Sequence, residues 1–381
     1  MLNHRTIIRI LGVILITEGF FMWLAIPVSL IFGEKDFLQF LLSGGITVLA
    51  GMAAYLPLRK SDLKLNRRDG YVIVTGAWIL FSLFGTLPFL LTQSIPNFTD
   101  AFFETISGFT TTGASILNNI EELSHAVLFW RSLIQWLGGM GIILLTLLLL
   151  PFLGIGGMQL FSAEVPSPTP DKLHPHVKDT AKRLWFIYLI FTFVEAMLLW
   201  AGEMKLFDAV CHSLTTMATG GYSTKQASIA YWNSPYIHYV ITGFMFLAGT
   251  NFTLAYFGMH GQFRKIWQNE EFKWYLGFIG GFTVLITLGL FFTGGGGLEP
   301  AFRNAVFQVV SIITTTGYAT ADYLKWAPWL IVLIFTLMFF GGSAGSTGGS
   351  IKILRILLVL KNGLLELTIK NIARPSSLSS I

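Results

Sequence analysis

Apolar residues fall along this chain in long blocks, not in the one-in-four or alternating patterns of a water-soluble fold. A bilayer core takes about 20 consecutive, mostly apolar residues. Runs of that length lie roughly at 7–32, 38–58, 71–92, 125–153, 180–202, 234–259, 274–293 and 327–360, which predicts eight spans. Three shorter apolar stretches, roughly 100–112, 207–219 and 303–316, sit between spans three and four, five and six, and seven and eight. They are too short to cross and read as re-entrant segments. Non-helical backbone at membrane depth survives only when buried in protein or lining a wet cavity, so three such segments on one face suggest a shared pathway.

Composition agrees. The 381 residues are 53% hydrophobic and 12% charged, against about a quarter charged in soluble domains. Mean hydropathy is +0.65. A soluble enzyme is therefore set aside, and no nucleophile–base pair, metal-ligand spacing or nucleotide loop argues for one. The first apolar run is too long for a signal peptide and lacks a small-residue cleavage site, so it reads as the first span. A single cysteine, Cys211, rules out an internal disulfide framework and reads as a packing residue.

Charge orients the chain. With the N-terminus in the cytoplasm, 19 of the 25 Lys and Arg residues fall on the inner side, from Arg5 and Arg9 through Lys64, Lys172, Lys178, Lys182 and Arg183 to Lys352, Arg355 and Arg374. The other six, Lys35, Arg131, Lys205, Lys225, Arg303 and Lys325, lie outside or near outer ends. The positive-inside rule thus predicts an even number of spans with both ends of this chain cytoplasmic. It accounts for the net charge of +5 without nucleic acid.

The three short stretches are copies of one another. DAFFETISGFTTTGAS runs from Asp100, DAVCHSLTTMATGGYS from Asp208 and NAVFQVVSIITTTGYA from Asn304, each with a glycine 13 residues on, at Gly113, Gly221 and Gly317. Asp100, Asp208 and Asn304 are expected to cap a half-helix. Its C-terminal dipole end would then point at the pathway. Behind it, Thr110–Thr112, Ala218–Gly220 and Thr314–Thr316 are expected to aim carbonyls at an ion, each glycine permitting the turn. The alternative, close helix packing through small residues, suits one TTTG better than three at a fixed offset. A fourth motif, GGSAGSTGGS, spans Gly341, Gly342, Ser343, Ala344, Gly345, Ser346, Thr347, Gly348, Gly349 and Ser350. It lacks the lysine of a phosphate-binding loop. It is expected to break the last span in mid-membrane, as an unwound loop or as a kink.

With SGFTTTGAS, QWLGGMGI (Gln135–Ile142), GIGGMQLF (Gly154–Phe161), ATGGYST, TTTGYATAD and FGGSAGSTGGSIKILR, the chain resembles the Trk/Ktr/HKT superfamily of potassium transporters, in particular its TrkH-type bacterial subunits. The resemblance implies an all-α integral membrane protein with three pore-loops and a potassium-selective constriction at Thr110, Thr111, Thr112, Gly113, Ala218, Thr219, Gly220, Gly221, Thr314, Thr315, Thr316 and Gly317. It implies a gate at Gly341–Ser350, no cofactor, potassium as substrate and a bacterial inner membrane rich in lipid contacts. It further implies a homodimer and a cytosolic nucleotide-sensing partner of TrkA type. Channel-like flow and proton-coupled symport both stay open.

The expected organisation is 1–69 as two leading spans, 70–178, 179–270 and 271–362 as three repeats, and 363–381 as a linker. The family has four repeats, so the expectation is of a pore one wall short. Either the chain is a fragment or early-terminated relative of a conducting subunit, or it is a non-conducting assembly or regulatory partner; a sodium or mixed-cation carrier is a further alternative. Glu104 reads either as negative potential at the outer mouth or as a structural bond. Lys352 and Arg355 face an inner cavity or snorkel; Glu18 and Glu195 have no assigned role. His174 and His176 read as solvated, Gly294–Gly297 as an outer turn.

Overall fold

The structure is a computed structural model that describes residues 2–60, 67–139, 141, 177–294 and 297–372. Among these residues the chain is helical, with one isolated bridge between Phe340 and Ile351 and no strand. In chain order the helices are α1 (His4–Trp23), α2 (Ala25–Ile31), α3 (Phe37–Tyr55), α4 (Arg67–Phe84), α5 (Leu87–Leu91), α6 (Phe98–Phe109), α7 (His125–Gly139) and α8 (Val177–Ala201). They continue as α9 (Leu206–Met217), α10 (Pro235–Ala248), α11 (Phe252–Met259), α12 (Phe263–Gln268), α13 (Glu270–Gly294), α14 (Leu298–Ile313), α15 (Pro328–Leu337) and α16 (Ile353–Ile372).

Among the described residues five stretches are long and apolar enough to cross a membrane: His4–Ile31, Phe37–Leu58, Arg68–Leu91, Lys182–Ala201 and Glu270–Thr293. The other predicted spans take different forms. The one at 234–259 is bent by 110° between α10 and α11. The one at 327–360 is divided into α15 and α16, and α16 runs on to Ile372 through the expected linker boundary. Of 125–153 the structure describes α7 and Gly141; the motif Gly154–Phe161, His174 and His176 lie outside the described residues.

Local chemistry explains several of these boundaries. The Asn3 side chain accepts the Thr6 amide at 3.3 Å and opens α1. Pro235 and Pro328 open α10 and α15, where the missing N–H costs nothing. The leading hairpin closes through small residues: a Cβ on Gly12 would sit 2.8 Å from the Gly51 carbonyl, and one on Gly19 2.7 Å from that of Gly44. Glycines seven apart on each helix let the backbones of α1 and α3 meet.

Two apolar clusters flank the centre. One gathers residues of α1, α4, α6, α7 and α8 around Phe81, Phe109 and Trp130; the other joins α10, α13, α14 and α15 around Tyr275, Phe307 and Ile334. The short helices α6, α9 and α14 sit in or between them.

Candidate functional site

The three half-helices end in the same way. After α6, the Thr112 amide donates to Ser107 O at 2.9 Å and the Thr111 amide to Gly108 O at 3.0 Å. After α9, Gly220 donates to Thr215 O and Thr219 to Thr216 O; after α14, Thr316 donates to Ser311 O and Thr315 to Ile312 O. This is a Schellman closure, whose turning residue is left-handed and usually glycine. Here it is threonine each time, with φ of 53° at Thr111, 52° at Thr219 and 60° at Thr315. A β-branched residue is strained there, by roughly 1–2 kcal/mol. The hydroxyls of Thr219 and Thr315 offset part of that, donating to Ala218 O and Thr314 O at 2.7 Å.

Two residues on, Gly113, Gly221 and Gly317 are left-handed again, at φ 75°, 75° and 84°. Left-handed residues alternating with an ordinary one turn successive peptide planes the same way, so consecutive carbonyls can face one side. Among the described residues no donor is bonded to the carbonyls of Thr219, Gly221, Thr315, Thr316 or Gly317. Thr219 and Thr316 are nevertheless each only 1% exposed. Unsatisfied carbonyls in buried backbone are costly and call for a ligand. The Gly220 carbonyl, by contrast, is taken by Gln135 Nε2 at 2.8 Å, while Gln135 Oε1 accepts the Tyr222 amide at 3.0 Å.

The segments lie side by side in an arc. A Cβ on Gly113 would collide with the Gly220 carbonyl, and one on Gly221 with the Thr316 carbonyl. One on Gly317 would meet nothing within 4 Å among the described residues. Each seam is keyed by a tyrosine one residue beyond the left-handed glycine. Tyr222 donates to Glu104 O at 2.9 Å, and Tyr318 donates to His212 O at 3.3 Å. Glu104 and His212 hold the same place in their repeats, four residues after Asp100 and Asp208.

The side chain at that place braces its own filter. Glu104 accepts from Ser115 Oγ at 3.0 Å and from the Ile116 amide at 3.1 Å. His212 Nε2 meets Ser223 Oγ at 2.9 Å. In the third repeat the pair is Gln308 and Ala319. Alanine offers no hydroxyl, and Gln308 Oε1 is buried without a partner among the described residues.

The expected caps are corrected. Asn97 caps α6, its side chain accepting the Thr99 amide at 2.8 Å, and α9 and α14 begin after Lys205 and Gly297. Asp100 and Asp208 therefore lie in the first turn and Asn304 in the helix body, since the chain enters helix as soon as flanking apolar residues pack. Asp208 instead ties its helix to the chain leaving the filter, accepting from Thr224 Oγ1 at 2.6 Å.

Glu104 proves structural. It is wholly buried and paired with Arg131, whose Nη2 and Nε lie 2.8 and 2.9 Å from Oε1. The Arg131 guanidinium also stacks on Tyr222, 4.2 Å from the ring centroid. Arg131, assigned by sequence to an outer end, is thus a keystone between the first two repeats. Glu18 and Glu195 are both fully buried.

Residues 341–350 form the expected unwound loop, and the broken span beside it satisfies its backbone. Ser343 N donates to Gly249 O at 2.9 Å, Thr347 N to Ala248 O at 3.3 Å, and Phe252 N to Gly345 O at 3.2 Å. Two breaks thus fill each other's vacancies, which mid-membrane backbone requires. Glu271 accepts the Ala344 amide at 2.6 Å. The loop also touches the filters: Thr347 Oγ1 donates to Met217 O at 3.1 Å and Gly349 N to Thr315 Oγ1 at 2.7 Å. The Lys352 ammonium bonds the Gly348 carbonyl and lies 3.4 Å from Ser346 O, whereas Arg355 is exposed.

Comparison with known proteins converges on one family. Residues 38–294 and 298–376 match the family described as TrkH, cation transport protein. The chain belongs to this family. It is similar to the Trk system potassium uptake protein TrkH of Escherichia coli K12, 40% identical over 385 residues, covering all of this chain and 79% of that protein. The TrkH of Halomonas elongata is 39% identical over 383 residues with the same coverage. A crystal structure of the potassium transporter TrkH from Vibrio parahaemolyticus superposes with a TM-score of 0.85 at 36% identity, over all of this chain and 79% of that one. The TrkH fold and the apolar helices make this a membrane protein.

Proposed function

We propose that this chain translocates potassium ions, with Thr110–Gly113, Ala218–Gly221 and Thr314–Gly317 as the ion-binding wall and Gly341–Ser350 as the gate. The observation that carries this reading is the threefold recurrence of one strained turn, with carbonyls that in the second and third copies have no donor among the described residues and lie in the buried backbone of Thr219 and Thr316. Those carbonyls replace the hydration shell of a desolvated cation. Three half-helix C-termini add negative potential where it arrives. The relatives named as potassium uptake proteins favour potassium over another cation.

In this reading Lys352 holds the loop closed by occupying its carbonyls, and the bonds from the loop to Met217 and Thr315 tie the gate to the filter. The repeats correspond to 70–178, 179–270 and 271–362. The basic ends of the spans face the cytoplasm of a bacterial cell. The relatives' name, a Trk system, fits an assembly of several subunits; a homodimer and a cytosolic nucleotide-sensing subunit are the partners we propose.

Expression in a cell lacking potassium uptake tests this: growth at low potassium, abolished by Gly113→Ser, supports it. A second reading, a non-conducting assembly partner, draws on the open side of the arc beyond Gly317. Membrane insertion with neither growth nor rubidium uptake would favour it.

A further inference from the structure

One groove belongs neither to the filters nor to the loop. It lies between the N-terminal part of α8 and α11, with a volume of about 640 Å³. Its two ends differ in chemistry. Lys182, Arg183 and His260 gather where α8 begins its membrane-spanning stretch, and Phe186, Leu189 and Met259 line the remainder. From Lys182 to Leu189 a helix rises about 10 Å, roughly a third of a hydrocarbon core. Phe186 is 61% and Met259 48% exposed, so the apolar part opens outward, where lipid lies.

The cationic end is organised. Arg183 Nη1 donates to Tyr256 Oη at 2.7 Å, and the guanidinium lies 5.3 Å from that ring's centroid. His260 packs on the same ring at 4.2 Å, its Nδ1 2.9 Å from Tyr256 O. None of the described ion pairs involves Lys182 or Arg183, and no carboxylate is among the groove's described lining residues. Two cations with no ion pair among the described residues, at the end of a span and continued inward by an apolar channel, match a ligand with an anionic head and a hydrocarbon tail.

We propose that this groove is a site for one anionic phospholipid of the leaflet at the basic ends of the spans. Its phosphate rests on Lys182, Arg183 and His260, and an acyl chain lies along Phe186, Leu189 and Met259. The inference does not depend on which ion the filters pass.

Native mass spectrometry of the full chain, released from nanodiscs of mixed phosphatidylglycerol and phosphatidylcholine, tests it. Wild type should retain one phosphatidylglycerol in preference to phosphatidylcholine. The double variant Lys182→Gln/Arg183→Gln should lose that preference by roughly tenfold or more, with unchanged thermal unfolding in phosphatidylcholine alone. Tyr256→Phe, which frees Arg183, should fall between. Equal retention of both lipids by wild type would overturn the proposal, leaving only a greasy groove. So would displacement of the lipid by free glycerol 3-phosphate, which would mark a soluble-phosphate site. Cysteine cross-linking between copies at Met259→Cys, with no lipid retained, would reassign the groove to a chain–chain contact.

Discussion

Alanine at each filter glycine in turn separates backbone strain from crowding. All three glycines are left-handed, so any L-residue there costs roughly 1–2 kcal/mol. At Gly317 the described residues add nothing to that cost, because among them the added Cβ meets nothing within 4 Å. At Gly113 the Cβ would collide with the carbonyl of Gly220, a backbone atom that cannot rotate aside. Moving it breaks the 2.8 Å bond from Gln135, and stranding that buried amide adds about 1–3 kcal/mol. Gly221 faces the Thr316 carbonyl, which carries no hydrogen bond among the described residues, so there the added cost is the backbone shift itself, about 1–3 kcal/mol. Gly113→Ala and Gly221→Ala should therefore destabilise the chain by about 2–5 kcal/mol and Gly317→Ala by about 1–2 kcal/mol. Thermal unfolding of each purified variant in detergent gives the order. A Gly317→Ala variant as unstable as Gly113→Ala would refute an arc that is open at its third segment.

Other variants probe the remaining contacts. Glu104→Ala strands the Arg131 cation in the protein interior and should cost about 3–5 kcal/mol, whereas Glu104→Ala/Arg131→Met should recover much of that in the same unfolding assay; equal losses would contradict the pairing. Gln308→Leu removes an acceptor that has no partner and should leave stability unchanged or raise it by about 1 kcal/mol, while His212→Leu, which loses Ser223, should lower it. Lys352→Gln should raise basal rubidium flux in proteoliposomes, with Lys352→Arg retaining the closed state; unchanged flux in both would remove Lys352 from the gate.

The periodicity of apolar runs located the membrane-spanning helices because length and hydropathy suffice for that. The three matching turns were legible for a different reason: three copies of one motif at a fixed offset leave little room for coincidence. The break between α10 and α11 was missed, although Gly249 and Asn251 carry the signal, because the apolar run continues across it. Its cause is tertiary, since the loop at 341–350 takes up the freed backbone groups. The caps failed because Asp and Asn suit a first turn as well as a cap. For Arg131 charge alone could not tell a residue exposed near an outer end from one paired 2.8 Å from Glu104 inside the protein. Tyr222 and Tyr318 stood in the repeated motif, yet only the packing of neighbouring repeats gives their hydroxyls a destination.

The two tyrosine keys also carry a direction. In each seam the later repeat supplies the hydroxyl and the earlier repeat the receiving carbonyl, Glu104 for Tyr222 and His212 for Tyr318. A chain made from its N-terminus presents the socket before the key exists. At these two bonds the second and third repeats can therefore each settle against a neighbour made before them. At the two keys the order of synthesis and the order of assembly coincide, whereas the carbonyls of Ala248 and Gly249 find their donors only when the loop at 341–350 has been made.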